Sequence, residues 1–405
     1  MPVPDFVYLE RYRNEGTRTY SPHAGHTAAL PAYRPDNPQP HFELPLFTLP
    51  RNMVKVFTAN PPSALADVYL PGDRVVFAIH PQVIGQCPND DYVSRTQSIG
   101  TGINPLSVMP SSSTRTLFAV NAGLPHALKV HFPFKISRYG RRMRQEVIEQ
   151  AIAVSGELEN GIQGMDADFG FLREVIGICH EDMNPRSPRG ENWGYLIRDM
   201  RPFPHGGGGM SLVPGFALYG RDFFDPETPL LLYEMIGNKD PLDFVLKNIM
   251  LPIIRHWIGC FLNFGYLLEP HGQNVILEVA GDGSISRIIH RDLSVGIDMQ
   301  RRRDMHLADD HLNGYNRMTH NAFLSITYDR FMGGHFFDRI VNACLDRHPG
   351  LNREDFLHPC CHAFARLLPD HHRYFPRSVW YFSEKRDRFN KPLYMDTGAS
   401  PEWRP

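Results

Sequence analysis

The chain has 405 residues, enough for two domains that each bury a core. Its 42 Lys+Arg against 44 Asp+Glu leave a formal net charge of −2, and no block of like charge marks a nucleic-acid or membrane surface. Six cysteines form no CxxC pair and the first ten residues lack a signal-peptide pattern, so the expectation is a cytoplasmic protein with reduced thiols.

In chain order, the first fifty residues are poor in periodicity and rich in Pro, His and Tyr, and residues 1–70 read as an irregular lead-in. Arg74–Ile79 reads as a strand that ends at His80-Pro81. The polar run from Ser111 to Thr116 leads into an apolar strand from Leu117, Leu128–Ile136 reads as a further strand, and Arg141–Ile152 as a helix. Asp182–Asn192 has linker composition, which divides the chain into α+β domains over 71–190 and 191–405. Asp240 suits an N-cap and Pro241 the first helical position of a long apolar run that includes Ile249, Ile253, Trp257 and Phe261. Lys247, Asn248, Arg255 and His256 interrupt that run, which makes it a buried core helix rather than a membrane span, and Pro252 is expected to kink it.

The chemistry concentrates just beyond that helix. Gly265–Asn274 puts Glu269, His271, Gln273 and Asn274 within six residues. Val275–Val279 and Ile285–Ile289 alternate around Ala-Gly-Asp-Gly-Ser, a hairpin pattern that returns Asp292 to the sheet edge where Glu269 lies. Two carboxylates beside amides and an imidazole suit a hard cation and an anionic ligand. The plain alternative is a hairpin capped by two carboxylates around a satisfied core histidine. A second group comprises Ser113, Arg115, Thr116, Lys129, Ser137 and Arg141. Hydroxyls with forked Arg donors suit phosphate oxygens, although an ordinary polar loop has the same composition.

Three other patterns carry less. Ile289-His-Arg-Asp-Leu293 looks like a kinase catalytic loop, but Ile297 stands at the Asn position and no D-F-G follows. His205 before Gly206–Gly209 has no G-x-S-x-G elbow to accompany it. His358-Pro-Cys-Cys-His362 is spaced too tightly for a zinc knuckle and reads as a helix with buried thiols.

Taken together, Glu269-Pro-His-Gly-Gln-Asn274 with Arg291-Asp292, Ser113-Thr-Arg-Thr116, and Lys129, Ser137 and Arg141 at offsets of eight and twelve resemble the NRPS-independent siderophore (NIS) synthetases, the IucA/IucC family. His80-Pro81 resembles the start of that family's H-P-W-Q, without the Trp. The match runs in family order from about residue 70 to about residue 300. The resemblance implies an α+β, two-domain, hand-like synthetase with fingers at 71–190 and a palm at 191–405. Of the family's thumb motif only Gly25-His26 survives, so the thumb is reduced or absent.

It also implies ATP and Mg2+ as cofactors and adenylation of a (poly)carboxylic acid such as citrate, followed by condensation with an amine or alcohol. By this carry-over Ser113, Arg115, Thr116, Lys129 and His26 hold ATP. Arg141, His271 and Lys129 are catalytic, Glu269 and Asp292 face magnesium, and Ser137, Arg141, His271, Gln273 and Asn274 position the substrate. Lys385, Arg386, Arg388 and Lys391 compete for one further anion-binding position. The implied partners are small-molecule carboxylic acid and amine or alcohol substrates, with no nucleic acid or membrane. Family members are commonly dimers, so a homodimer is expected. A catalytically degenerate nucleotide- or carboxylate-binding homologue and a small-molecule kinase remain as alternative readings.

Overall fold

The computed structural model describes residues 5–14, 27–39, 41–120, 122–136, 139–181, 183, 192–206, 209–318, 321–387 and 392–405. A short N-terminal helix (Phe6–Tyr12) is followed by strands β1 (Phe42–Pro50), β2 (Val54–Thr58) and β3 (Arg74–Ala78). Then come β4 (Thr101–Pro110), β5 (Thr116–Ala119), β6 (His126–Lys129), β7 (Phe132–Ile136) and β8 (Tyr139–Arg141). Helix Gln145–Asn160 leads to β9 (Phe169–Phe171), β10 (Glu174–His180), β11 (Gly194–Asp199) and β12 (Ser211–Pro214). After the core helix come β13 (Tyr266–Leu267), β14 (Val275–Val279) and β15 (Ile285–His290).

Two sheets carry the molecule. The first has eight strands in the order β2-β10-β11-β6-β5-β4-β1-β3, all antiparallel, and the second has four in the order β12-β14-β15-β9. Only the β9 pairing with β15 is parallel within the second sheet. Every residue of β10 and β11 is buried, because both faces are covered. Ile148 and Ala151 of helix Gln145–Asn160 pack with Cys179 and Leu196 on one side, while Phe77, Tyr92 and Tyr195 belong to the other. A small cluster of Phe118 and Ala127 from the first sheet with Ile276 and Ile289 from the second closes the seam between them.

Four sequence expectations change. Residues 1–70 are not an irregular lead-in, since β1 and β2 are full members of the first sheet. Their burial is only partial, so Pro and mixed polarity mask the two-residue period. The domain boundary at 190 also fails. β10 and β11, on either side of the Asp182–Asn192 stretch, are adjacent antiparallel strands of one sheet, so that stretch connects neighbours rather than domains. Its composition does not tell a long hairpin loop from a linker, and most of it lies outside the described residues. Leu128–Ile136 divides at Val130–His131 into β6 and β7, which enter different sheets. The helix expected from Arg141 starts at Gln145, and Arg141 ends strand β8 instead.

The core helix holds as read. Asp240 Oδ1 accepts from the Asp243 amide at 2.7 Å, and Gly265 closes the helix in the left-handed region at φ 68°. The Pro252 effect appears just upstream, as a wide π-helical turn over Leu246–Met250. Such a turn rearranges the carbonyls one turn before the ring, where a proline clashes with a regular helix. Pro241–Phe264 is long and apolar enough to cross a membrane, but Trp257, Ile253 and Phe261 are fully buried inside the core. His358–His362 lies in helix Arg353–Leu367 with Cys360 buried.

Candidate functional site

The site is assembled where the β4–β5 loop and β6 of the first sheet, with β8 of the small β7–β8 hairpin, meet the turn between β13 and β14 and the residues after β15. The hairpin register sets one half. Val275 pairs with His290 and Ile276 with Ile289, so the chain returns and Asp292 lies at the base of the hairpin with the Glu269–Asn274 turn. That turn is stitched by its backbone: His271 N–H donates to Glu269 O at 2.9 Å, and Asn274 N–H to His271 O at 2.9 Å. Arg291 N–H then donates to Asn274 O at 3.0 Å, binding the turn to the far end of the hairpin. Gly272 is needed because a Cβ there would collide with Tyr219 Oη and press on the Phe216 backbone.

The register of the first sheet sets the other half. Thr116 of β5 and Leu196 of β11 both pair with Lys129 of β6, so Thr116 and Lys129 emerge side by side. The β4–β5 loop is tight: Ser111 N–H donates to Thr116 O at 2.8 Å, Thr114 adopts φ 67°, and Thr116 N–H donates to Ser113 Oγ at 3.2 Å. Arg115 Nη1 donates to Arg141 O at 3.1 Å, which brings the two guanidinium residues together.

The halves meet in an ion pair, with Lys129 Nζ 2.5 Å from Asp292 Oδ1. The Lys129 side chain is 4 % exposed, whereas Asp292 keeps 36 % of its surface open, the mark of a residue lining a cleft. A second link runs from Gln273 Nε2 to Ser112 Oγ at 3.1 Å. Asp292 sits at φ 70°, a left-handed conformation that Asp tolerates and that aims its carboxylate back toward the first sheet.

Electrostatics separate the two carboxyls. Burial alone would raise the Asp292 carboxyl, but Lys129, with Arg198 and Arg115 behind it, outweighs burial and holds the group ionised well below the usual range. Glu269 goes the other way. Burial and the neighbouring Asp292 charge push it up to about 8, against the pull of Lys129 and Arg141. Its carboxyl therefore keeps a proton at neutral pH.

Two carboxyls of which one is held neutral by burial and by the charge of the other are what a divalent cation would relieve, so the donor set fits magnesium at Glu269 and Asp292. Burial and Arg141 lower Arg115 to about 10, which leaves it cationic. His271 is held down at about 3 by burial and by His335, and its Nδ1 accepts from the Gln273 amide at 3.2 Å. It is thus a neutral imidazole protonated on Nε2, a donor that carries no charge.

The structure brings together Ser113, Arg115, Thr116, Lys129, Arg141, Glu269, His271, Gln273, Asn274 and Asp292 in this one cleft. It pairs Lys129 with Asp292 rather than leaving it in open space. Lys385 is not brought in: it is exposed on the C-terminal hairpin of Trp380–Arg386 and Pro392–Asp396, with its amide bonded to Ser383 Oγ. His26, Ser137, Arg388 and Lys391 lie outside the described residues.

Sequence reasoning missed a third wall. A twelve-residue π-helical stretch, Ile326–Phe337, carries Phe331, edge-on to His271 at 5.6 Å. It also carries Arg330, stacked over Tyr381 at 5.0 Å, and His335, held at about 4 by burial and by Arg330 and Arg339. Tyr315 and Tyr394 complete the surround of Glu269, both raised to about 12 by burial and by that carboxyl. The available signal was Asp329, Arg330 and His335 inside a largely apolar run, well past the last motif. Elsewhere among the described residues, Asp166, Asp168 and His256 have the spacing of metal ligands, but Arg255 already neutralises both carboxylates, at 2.8 and 2.6 Å.

No family model matches the sequence, and no curated protein matches it. Solved structures do. The petrobactin biosynthesis protein AsbB from Bacillus anthracis superposes with a TM-score of 0.70 at 14% identity, over 98% of this chain and 75% of that one. The aerobactin synthetase IucC from a hypervirulent pathotype of Klebsiella pneumoniae gives 0.64 at 14% identity, over 92% of this chain and 71% of its own. ATP-bound aerobactin synthetase IucA from the same pathotype gives 0.65 at 14%, over 91% and 71%. The α+β fold of this chain is therefore that of the NIS synthetases.

Proposed function

We propose that this chain is an ATP-dependent ligase of the siderophore-synthetase type, which adenylates a polycarboxylic acid and passes the acyl group to an amine or alcohol. The observation that carries the reading is the Lys129–Asp292 pair: it joins a loop of hydroxyls and guanidiniums to an acid-and-amide turn, within the fold of the NIS synthetases. One neighbour of that fold is an ATP-bound synthetase.

The reaction brings two anions together, a carboxylate and the α-phosphate, so the protein's task is cation placement and alignment. Ser113, Arg115 and Thr116 would hold triphosphate oxygens. Arg141, beside Arg115, would face the point where the carboxylate meets the α-phosphate. His271, neutral and protonated on Nε2, would donate to the acid without binding it as a rigid ion pair. Gln273 and Asn274 would fix its orientation, and Arg330 would receive a further carboxylate. Glu269 and Asp292 would hold magnesium, which when bound neutralises phosphate charge. The substrate carboxylate oxygen bonds to the α-phosphorus and pyrophosphate leaves. The amine or hydroxyl then adds to the acyl carbon, and AMP leaves. Keeping water from the acyl-adenylate is the role of a cleft walled by two sheets and the Ile326–Phe337 helix.

The test is carboxylate-dependent pyrophosphate release, with citrate and a diamine as first substrates. Arg141→Ala and His271→Ala are each expected to lower the rate by about a hundredfold or more. ADP in place of pyrophosphate would replace this reading with a kinase, and ATP binding without turnover would replace it with a binding protein.

A further inference from the structure

We propose that the N-terminal helix Phe6–Tyr12 is a clamp across the cleft, and that its Glu10 is a positioning residue that sets the Ser111–Arg115 loop against the Gln273–Asn274 turn. The kinetic consequence rests on the ligase reading; the geometry does not.

Glu10 is fully buried, on a helix in a region whose sequence shows no periodicity. A carboxylate in that position is stable only if every lone pair is matched. The matching groups come from both halves of the site. Glu10 Oε1 takes the buried Arg291 guanidinium, and Oε2 accepts from Ser112 N–H at 3.2 Å and from Ser112 Oγ at 2.9 Å. Ser112 Oγ in turn accepts from Gln273 Nε2 at 3.1 Å, while Arg291 Nε donates to Gln273 O at 2.6 Å. Glu10, Ser112, Gln273 and Arg291 thus close a ring of hydrogen bonds. Gln273 is itself a site residue, and Ser112 and Arg291 are the sequence neighbours of two others, Ser113 and Asp292.

Seven residues cannot hold a helix alone, so contacts alone fix its position. It spans the seam. Phe6 meets Phe118 of the first sheet edge-on at 5.6 Å, while Leu9 enters the larger core of the second lobe. Tyr8 Oη donates to Asp222 Oδ2 at 2.7 Å, and Arg13 Nε lies 3.3 Å from the same oxygen. The helix is therefore anchored on the second lobe and reaches across to the loop of the first.

Two variants of the full chain test this. Ser112→Ala removes the hydroxyl that joins the loop to Glu10 and Gln273, keeping the Ser112 N–H bond and the Glu10–Arg291 pair. Glu10→Asp keeps the charge beside Arg291 but shortens the reach to Ser112. Each is expected to raise KM for ATP about tenfold and to raise hydrogen exchange of amides 111–116 by a similar factor, with kcat and exchange in helix 241–264 little changed. Unchanged exchange and unchanged KM in both variants would overturn the clamp. So would a parallel loss of kcat and melting temperature with KM constant, because that is a purely structural role. If the wild type turns over no ATP, the ligase reading falls, and the exchange measurement alone decides the clamp.

Discussion

The clearest chemistry at the residue scale is the split between Glu269 and Asp292. Glu269 is raised in the folded state, so its protonated form contributes stability that is complete below the ordinary carboxylate range and is lost as pH climbs to about 8. Glu269→Gln is expected to stabilise the ligand-free protein at pH 9 by about 1–2 kcal/mol and to do much less at pH 5, measured by urea unfolding. Equal effects at both values would mean that no proton is trapped there. Magnesium affinity should rise between pH 6 and 8, as the cation displaces that proton, and level off above it. None of this was legible in the sequence. Glu269 and Asp292 appear there as two equivalent carboxylates, and it is the burial of Glu269 and the closeness of Asp292 to Lys129 that make them unequal.

Elements differ in how plainly the sequence states them. The β14–β15 hairpin was legible to within a residue, since its apolar runs and its Gly-Asp-Gly turn agree, although β14 is buried on both faces rather than alternately. The N-terminal helix was not, because seven residues give fewer than two full periods and its one critical side chain is charged. The Ile326–Phe337 stretch was hidden differently: a π-helical pitch smears the 3.6-residue pattern that a search for amphipathic helices uses. Between these extremes is the turn that carries His271. Gly272 was legible as part of a motif, but its steric reason is Tyr219, which is distant in sequence. Gly272→Ala is expected to cut kcat at least tenfold by displacing His271 and Gln273. Adding Tyr219→Phe removes the colliding oxygen and should restore a good part of it. A double variant as slow as the single one would place the cause in the Phe216 backbone instead.

At the scale of the whole molecule, the two sheets are held by the seam cluster of Phe118, Ala127, Ile276 and Ile289 and by the Lys129–Asp292 pair. The open face of Asp292 screens that pair, so a double-mutant cycle with Lys129→Met and Asp292→Asn should give a coupling of about 1 kcal/mol in stability. A coupling near zero would mean that the apolar seam alone closes the cleft. The sequence did indicate that the two halves converge. It did not indicate where one half ends, because loop composition near residue 190 says nothing about which sheet the next strand joins. The chain in fact lends β9 to the second sheet before β10 and β11 complete the first. Strand β9 pairs in its ladder with β15, Phe169 opposite Ile288. During synthesis, then, β9 must wait while the rest of the first sheet, the core helix and β14 leave the ribosome, and the second lobe cannot close before Ile288 arrives. The eight strands of the first sheet are all made once Asp199 has emerged, so it is the second lobe alone that lags, and a chain stalled between β11 and β15 presents β9 as an unzipped edge to the cell's chaperones.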